Sequence, residues 1–276
     1  MGVTKKESEK QKQERLGEIS ISLEGYEMKI VEYNNYTDIV VEFQDEYKAK
    51  VHTTYQHFKN DKWVKNPYHP RIFGVGYFGQ GKYETQKNKK KNRVYQTWKS
   101  MLQRCYDPYY INEHPTYIDC YVCKEWHNFQ TFAKWWDENV YECNNERMEL
   151  DKDILIKGNK IYSPETCLIV PQRINVLFVK QQREKYKYPI GVCENNDKTR
   201  GYKRLMAQCC ILDENRNRKR RNIHIGSFPL SEPFHAFYAY KQFKENYIKQ
   251  VADEYKDIIP QRLYDAMYKY EVEIND

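Results

Sequence analysis

Apolar and polar positions alternate in three short runs after residue 25: Met28-Lys29-Ile30-Val31-Glu32-Tyr33, then Asp38-Ile39-Val40-Val41-Glu42-Phe43, then residues 47–53. Alternation with period two puts every second side chain on one face, the mark of half-buried strands, and Asn34-Asn35 supplies a turn. A small antiparallel β module, a meander or SH3-like barrel, is expected over 25–81. The spacing then changes. Val94, Trp98, Met101, Leu102 and Cys105 recur at helical intervals, as do Phe129, Phe132, Trp135 and Trp136 within 128–139. Residues 149–156 read as a strand, Gly158-Asn159 as a turn and 167–170 as a short buried strand. A helix is expected over 171–180, with Pro171 in its first turn. Three further strands are expected at 190–193, 202–212 and 221–228. A long amphipathic helix over 234–255 and a short one over 260–270 follow.

These elements divide the chain into a charged tail or helix (1–24), the β module (25–81), a basic linker (82–93), a central module (94–180) and, after a polar connection, a C-terminal sheet-and-helix domain (188–276). The class is α+β, multi-domain, and 276 residues suit two or three small domains. The net charge of +7 is moderate, but its distribution sharpens the picture. Cations gather at 87–93, which includes Lys89 and Lys90, and at 216–221, which includes Arg218, Arg220 and Arg221. Such runs can neutralise phosphates and release counterions; otherwise they are a solvated linker and a charged hairpin tip. No apolar stretch approaches the roughly 20 residues of a membrane span, so no membrane partner is expected. Residues 1–15 lack an apolar signal segment, and eight cysteines without one suit a reducing, cytoplasmic setting.

Two motifs invite chemistry and are set aside. Gly74-Val75-Gly76-Tyr77-Phe78-Gly79 fits G-x-G-x-x-G, yet a dinucleotide site needs a helix directly after it, and Gln80-Gly81 and a lysine run follow instead. A glycine-rich loop leaving the β module is expected. Cys120-x-x-Cys123 is half of a structural zinc site, but no second close pair accompanies it, and core cysteines are the preferred reading.

One ordered series carries more. Trp98, Met101, Arg104 and Cys105 form a Trp-x-x-Met-x-x-Arg-Cys helix. Val122, Cys123, Trp126 and Phe129 form a Val-Cys-x-x-Trp-x-x-Phe piece. Leu150-Asp151-Lys152-Asp153-Ile154, Tyr162-Ser163-Pro164-Glu165-Thr166-Cys167 and Asn175 complete the series. Over about 94–180 this resembles the HNH (ββα-metal) nucleases of homing-type endonucleases, and more closely a phage and bacterial relative of them. The resemblance implies a Mg²⁺ or Mn²⁺ ion held by Asp151 and Asn175, which polarises the scissile phosphate. Lys152 falls where the family's general-base histidine would be, and Thr166 falls on the middle Asn. A lysine flanked by Asp151 and Asp153 is a better phosphate ligand than a base. Asp153, His127 and His114 are alternative bases without positional support.

Ile190-Gly191-Val192, Ile225-Gly226-Ser227-Phe228 and a helix bearing Phe234, Ala236, Phe237, Ala239 and Tyr240 resemble an AP2-type DNA-binding domain over about 188–255. The resemblance implies three antiparallel strands packed on one helix, with double-stranded DNA as partner. Lys203, Arg204, Arg218, Arg220, Arg221 and His224 lie on those strands or their tip, and a sheet of this size can place alternate side chains on base edges in the major groove. Two functions follow as expectations. One is a phage-type, metal-dependent endonuclease targeted by the AP2-like domain. The other is a catalytically degenerate binder, a regulator or a phage inhibitor of a host nuclease or defence complex.

Overall fold

In a computed structural model of the chain, the described residues are 5–87, 90–143, 145–179, 187–197, 202–213, 219–274 and 276. The fold is mixed α+β with several small sheets. The chain divides into two compact units: residues 1–138 with 160–163, and residues 139–159 with 164–276. The boundary falls inside the 94–180 stretch.

In the first unit, helix α1 (Lys5–Arg15) precedes strands β1 (Ile19–Ile21), β2 (Glu27–Asn35), β3 (Asp38–Phe43) and β4 (Lys50–Thr53). These pair antiparallel in the order β1-β2-β3-β4, the expected meander. The sheet starts earlier than residue 25, because Ile19, Ser20 and Ile21 pair with Lys29, Met28 and Glu27. The β2–β3 turn is fixed by Asn35, whose Oδ1 accepts the Thr37 amide (2.9 Å) and hydroxyl (2.7 Å), an Asx turn. Alternate residues Met28, Ile30, Ile39, Val41 and Phe43 face one core with Phe58 and Val64. Burying each such side chain contributes about 1.5–3 kcal/mol.

The glycine-rich loop serves packing. A Cβ on Gly76 would stand 2.4 Å from Leu102 Cδ1, so the loop backbone lies directly on the next helix. No helix follows it; the short strands β5 (Gln86–Lys87) and β6 (Lys90–Lys91) do. Helix α2 (Arg93–Tyr106) opens on Asn92, whose side chain accepts from the Val94 amide at 2.9 Å. Then come α3 (Pro108–Glu113), β7 (Tyr121–Val122) and α4 (Phe129–Asn139). Trp98, Met101, Leu102, Trp126, Phe129 and Phe132 are all buried, and the Trp98 indole donates to the Trp126 carbonyl at 2.7 Å.

The second unit begins with β8 (Met148–Asp151). The chain then supplies β9 (Ile161–Tyr162) to the first unit, where it runs parallel to β7. Strand β10 (Leu168–Pro171) returns antiparallel to β8, pairing Leu168 with Asp151. Helix α5 (Gln172–Asn175) follows. Strand–strand–helix is thus the order found, with two corrections of length. The first strand stops at Asp151 instead of running to 156, because the Asp151 side chain captures the next amides and turns the chain. The helix is a single turn instead of ten residues. Beyond Asn175 the amides of Leu177 and Phe178 reach back only three residues, to Ile174 and Asn175, which tightens the chain into a turn.

Strands β11 (Val192–Asp197), β12 (Tyr202–Asp213) and β13 (Lys219–Phe228) form the antiparallel sheet β11-β12-β13, followed by α6 (Pro233–Glu254) and α7 (Gln261–Lys269). Ala236, Phe237 and Tyr240 of α6 pack on Val192, Leu205, Ala207 and Cys209. Gly191 permits this approach. Its φ is +74°, and a Cβ there would sit 2.1 Å from the Tyr240 ring. Arg173, 7% exposed, bonds Glu254 at 2.5 Å, while the Tyr255 hydroxyl bonds Glu146. The turn after β10 is thereby tied to the end of α6.

Candidate functional site

The C-terminal sheet has one covered face and one open face, and the register assigns residues to each. Leu205, Ala207 and Cys209 point to α6, so Arg204, Met206, Gln208 and Cys210 point away. Cross-strand pairing adds Cys193 (opposite Met206), Asn195 (opposite Arg204), His224 (opposite Gln208), Asn222 (opposite Cys210) and Ser227 (opposite Met206). These residues include no carboxylate, and the next pair outward in the same register is Tyr202 with Asp197. The face offers a guanidinium, an imidazole and three amides in adjacent rows. They are held loosely: Arg204 Nη2 donates to the Ser227 carbonyl (3.2 Å), Gln208 Nε2 lies 3.3 Å from Cys193 Sγ, and Ser227 Oγ lies 3.4 Å from His224 Nε2. The register shifts between Ala207 and Gln208, because β13 carries one extra residue there, Ile225, between His224 and Gly226. Asn222, His224 and Ser227 are exposed, and Arg204 and Gln208 are half-buried.

The flanks are basic. Lys203 and Arg221 are exposed at the strand ends. Arg220 pairs with Leu212 in the backbone register, while Arg218 lies outside the described residues. In the other basic run, Lys90 is exposed on β6, and Lys89 lies outside the described residues. Sequence reasoning named Arg204 and His224 but missed Gln208, Asn195 and Asn222, which share their face. Strand parity from the buried Leu205 could have found them.

The ββα segment has a different character. Asp151 stands at the end of β8, and its Oδ1 accepts the amides of Asp153 and Ile154, both at 2.8 Å. Burial raises the carboxyl above its ordinary range, and those two amides only partly oppose the rise. Lys152 is 7% exposed and fully engaged. Its ammonium donates to Asp153 Oδ1 and Oδ2 (2.8 Å each) and to the Asn159 carbonyl (2.6 Å), while Asn159 Nδ2 donates back to the Lys152 carbonyl at 2.8 Å. Three protons meet three protein acceptors, so Lys152 is a staple across the 152–159 turn. Asp153, one of the alternative bases, is its partner. Asn175 ends α5 and is half-buried.

The remaining motif residues are structural. Trp98, Met101 and Cys105 are core, and the Arg104 guanidinium lies over the Tyr117 ring at 5.6 Å. His114 packs on Tyr110 at 4.4 Å, and desolvation lowers the pKa of His127, whose Nε2 faces the Tyr106 hydroxyl at 3.3 Å. Cys120 is buried with its thiol toward the Thr116 carbonyl, and Cys123 is half-buried. Among the described residues, no three His, Cys, Asp or Glu side chains are grouped to hold a metal ion, and no helix is long and apolar enough to cross a membrane. No family model, curated protein or solved structure matches the chain.

Proposed function

We propose that the chain binds double-stranded DNA through the open face of its C-terminal sheet, in the manner of an AP2-like reader. The supporting observation is the carboxylate-free row of Arg204, Gln208, Asn222 and His224 on a three-stranded sheet whose opposite face is sealed by α6. Such a sheet fits the width of the major groove. Arg pairs bidentately with guanine, and Gln or Asn with adenine. Exposed Lys203 and Arg221 alternate with the open-face residues near the strand ends, so they suit phosphates at the rim of the sheet, contacts that position it without reading sequence. The test is fluorescence anisotropy on duplex DNA across a salt series. Arg204→Ala and Gln208→Ala should relax sequence preference, each by roughly 1–3 kcal/mol at its base pair. Ala at Arg218, Arg220 and Arg221 together should weaken binding to all sequences and shallow the salt slope by about 0.9 per lost contact. Unchanged binding in both sets removes the reading.

A second activity, divalent-metal-dependent strand cleavage of the HNH-like type, is favoured by one observation. Asp151 is a desolvated carboxylate at the mouth of a strand–strand–helix, and no hydrogen bond to its Oδ2 is found among the described residues. Asp151 Oδ2 and the Asn175 side chain would hold the ion. Mg²⁺ accepts so few protein ligands because it keeps several waters and binds substrate phosphate oxygens. The ion, when bound, would polarise the phosphate and stabilise the leaving oxygen. Within the chain, Asp151 orients through its two amides, and Lys152 holds the turn that carries it. Supercoiled plasmid with Mg²⁺ or Mn²⁺ decides. Cleavage abolished by Asp151→Asn with binding kept supports the endonuclease. An intact plasmid with wild-type protein leaves a DNA binder, free to act as a regulator or to occlude a host nuclease or defence complex.

A further inference from the structure

Strand β11 covers only the first half of β12. Its last pair is Val192 with Ala207, and the Gln208 amide still reaches the Gly191 carbonyl at 2.8 Å. Beyond that point, residues 209–213 pair with β13 on one side only. Beside this unpaired edge lies a cavity of about 410 Å³ within the second unit. That is the size of small-molecule sites, which are typically ~300–1,000 Å³. Its walls combine apolar and aromatic side chains, including Phe178, Ile190, Ile211, Tyr240 and Val272, with polar groups in about equal measure.

One cation stands in this wall, Lys244 of α6. Burial lowers the pKa of its amine. The groups that oppose the lowering are the thiols of Cys209 and Cys210, and no carboxylate contributes. The carboxylate that also lines the cavity, Asp276, is already engaged: its Oδ2 accepts from Lys157 at 2.8 Å, from the Tyr270 hydroxyl at 3.2 Å and from the Glu273 amide at 2.9 Å. Among the described residues no carboxylate pairs with this amine, and a largely buried ammonium without a counter-ion is costly by itself, since buried charges are ordinarily paired. A ligand with one negative head and an apolar body supplies both things the hollow lacks, a partner for the amine and a filling for its walls.

We propose that this cavity is a binding site for a small amphipathic monoanion, an aryl or alkyl carboxylate, with Lys244 as the head-group ligand. One consequence rests on the proposed DNA reading: occupancy would be felt on the reading strand itself, because Gln208, Cys210 and Asn222 belong both to the cavity wall and to the open face.

The test compares three probes of one shape by ligand-observed NMR titration on the full chain: 3-phenylpropionate, 3-phenylpropanol and 3-phenylpropylammonium. The acid should bind saturably at one site and at least tenfold more tightly than the other two. Lys244→Met should reduce it to the level of the alcohol. Equal affinity for acid and alcohol, retention of the preference in Lys244→Met, or no binding of the acid at millimolar concentration overturns the proposal. If Lys244→Met does not fold, acetylation of the wild-type lysines mapped by mass spectrometry stands in. The acid, and not the alcohol, should slow modification of Lys244 in the wild-type protein at least fivefold, and lack of protection rejects the site.

Discussion

Replacing Lys152 with Met separates a turn staple from a catalytic or phosphate-binding lysine. Methionine keeps the apolar stem, so little cavity opens, and what is lost is the ammonium. Its contacts with Asp153 and with the Asn159 carbonyl go with it. The contact with Asp153 lies at a carboxylate whose side chain is 41% exposed, and such pairs contribute about 0–1 kcal/mol. The bond to the Asn159 carbonyl is buried, and removing its charged donor leaves an unsatisfied acceptor at a cost of about 1–3 kcal/mol. The sum, about 1–4 kcal/mol, corresponds to a Tm lowered by roughly 2–16 °C at ~2–4 °C per kcal/mol for a domain of this size. Differential scanning calorimetry measures it, with DNA anisotropy run in parallel. Affinity and salt slope should match wild type. A Tm within 1 °C of wild type together with a salt slope shallower by about 0.9 refutes the argument, because that is the signature of a lysine spending its charge on phosphate. Lys152→His should be destabilised likewise, since an imidazole cannot serve all three acceptors.

Asp151→Asn should fold as well as wild type or better at pH 7 in EDTA, because the amide oxygen still accepts from Asp153 and Ile154 while the desolvated charge is gone. The sign is fixed by the raised carboxyl: wild type gains relative stability below the unfolded value, near 3.8, and loses it as pH rises through the higher folded value. Urea titrations from pH 3 to 7 should therefore show the variant's advantage growing with pH, and a flat difference rejects this. Gly191→Ala should destabilise the second unit by about 1–3 kcal/mol, through its positive φ and the Tyr240 ring, seen as faster hydrogen exchange in β12; unchanged exchange would contradict the packing. Arg173→Met should leave Glu254 unpaired and lower the urea midpoint, whereas Lys134→Met, removing an exposed i,i+4 partner of Glu138, should not.

The meander, the C-terminal sheet and helices α2, α4, α6 and α7 were legible because each buries one face, and a buried face writes its period into the sequence. Leu205, Ala207 and Cys209 alternate; Trp98, Met101, Leu102 and Cys105 recur at helical spacing. The 171–180 stretch misled for the same reason. Ile174, Val176, Leu177 and Phe178 are apolar at intervals compatible with a helix, yet their burial is met by a tight turn, which periodicity cannot distinguish from one. The staple at Lys152 was hidden because its acceptor is a backbone carbonyl, which no residue type announces. The Arg173–Glu254 and Tyr255–Glu146 links join residues far apart in sequence, and nothing local encodes such a pair. At the open face, cations were conspicuous and drew attention, while the neutral Gln208 and Asn222 carried no charge signal.

The crossing of the chain between units has a temporal side. Strand β9 belongs with β7 in the first unit, but it is encoded after β8, which belongs to the second. During synthesis the N-terminal meander can close on its own residues as soon as they emerge. The α2–α4 half cannot finish its small sheet until residue 162 has been added. A ribosome stalled between residues 139 and 160, or a gene cut there, would release a first unit with an open edge at β7. The order in which residues are joined thus sets when each half of this protein can protect itself.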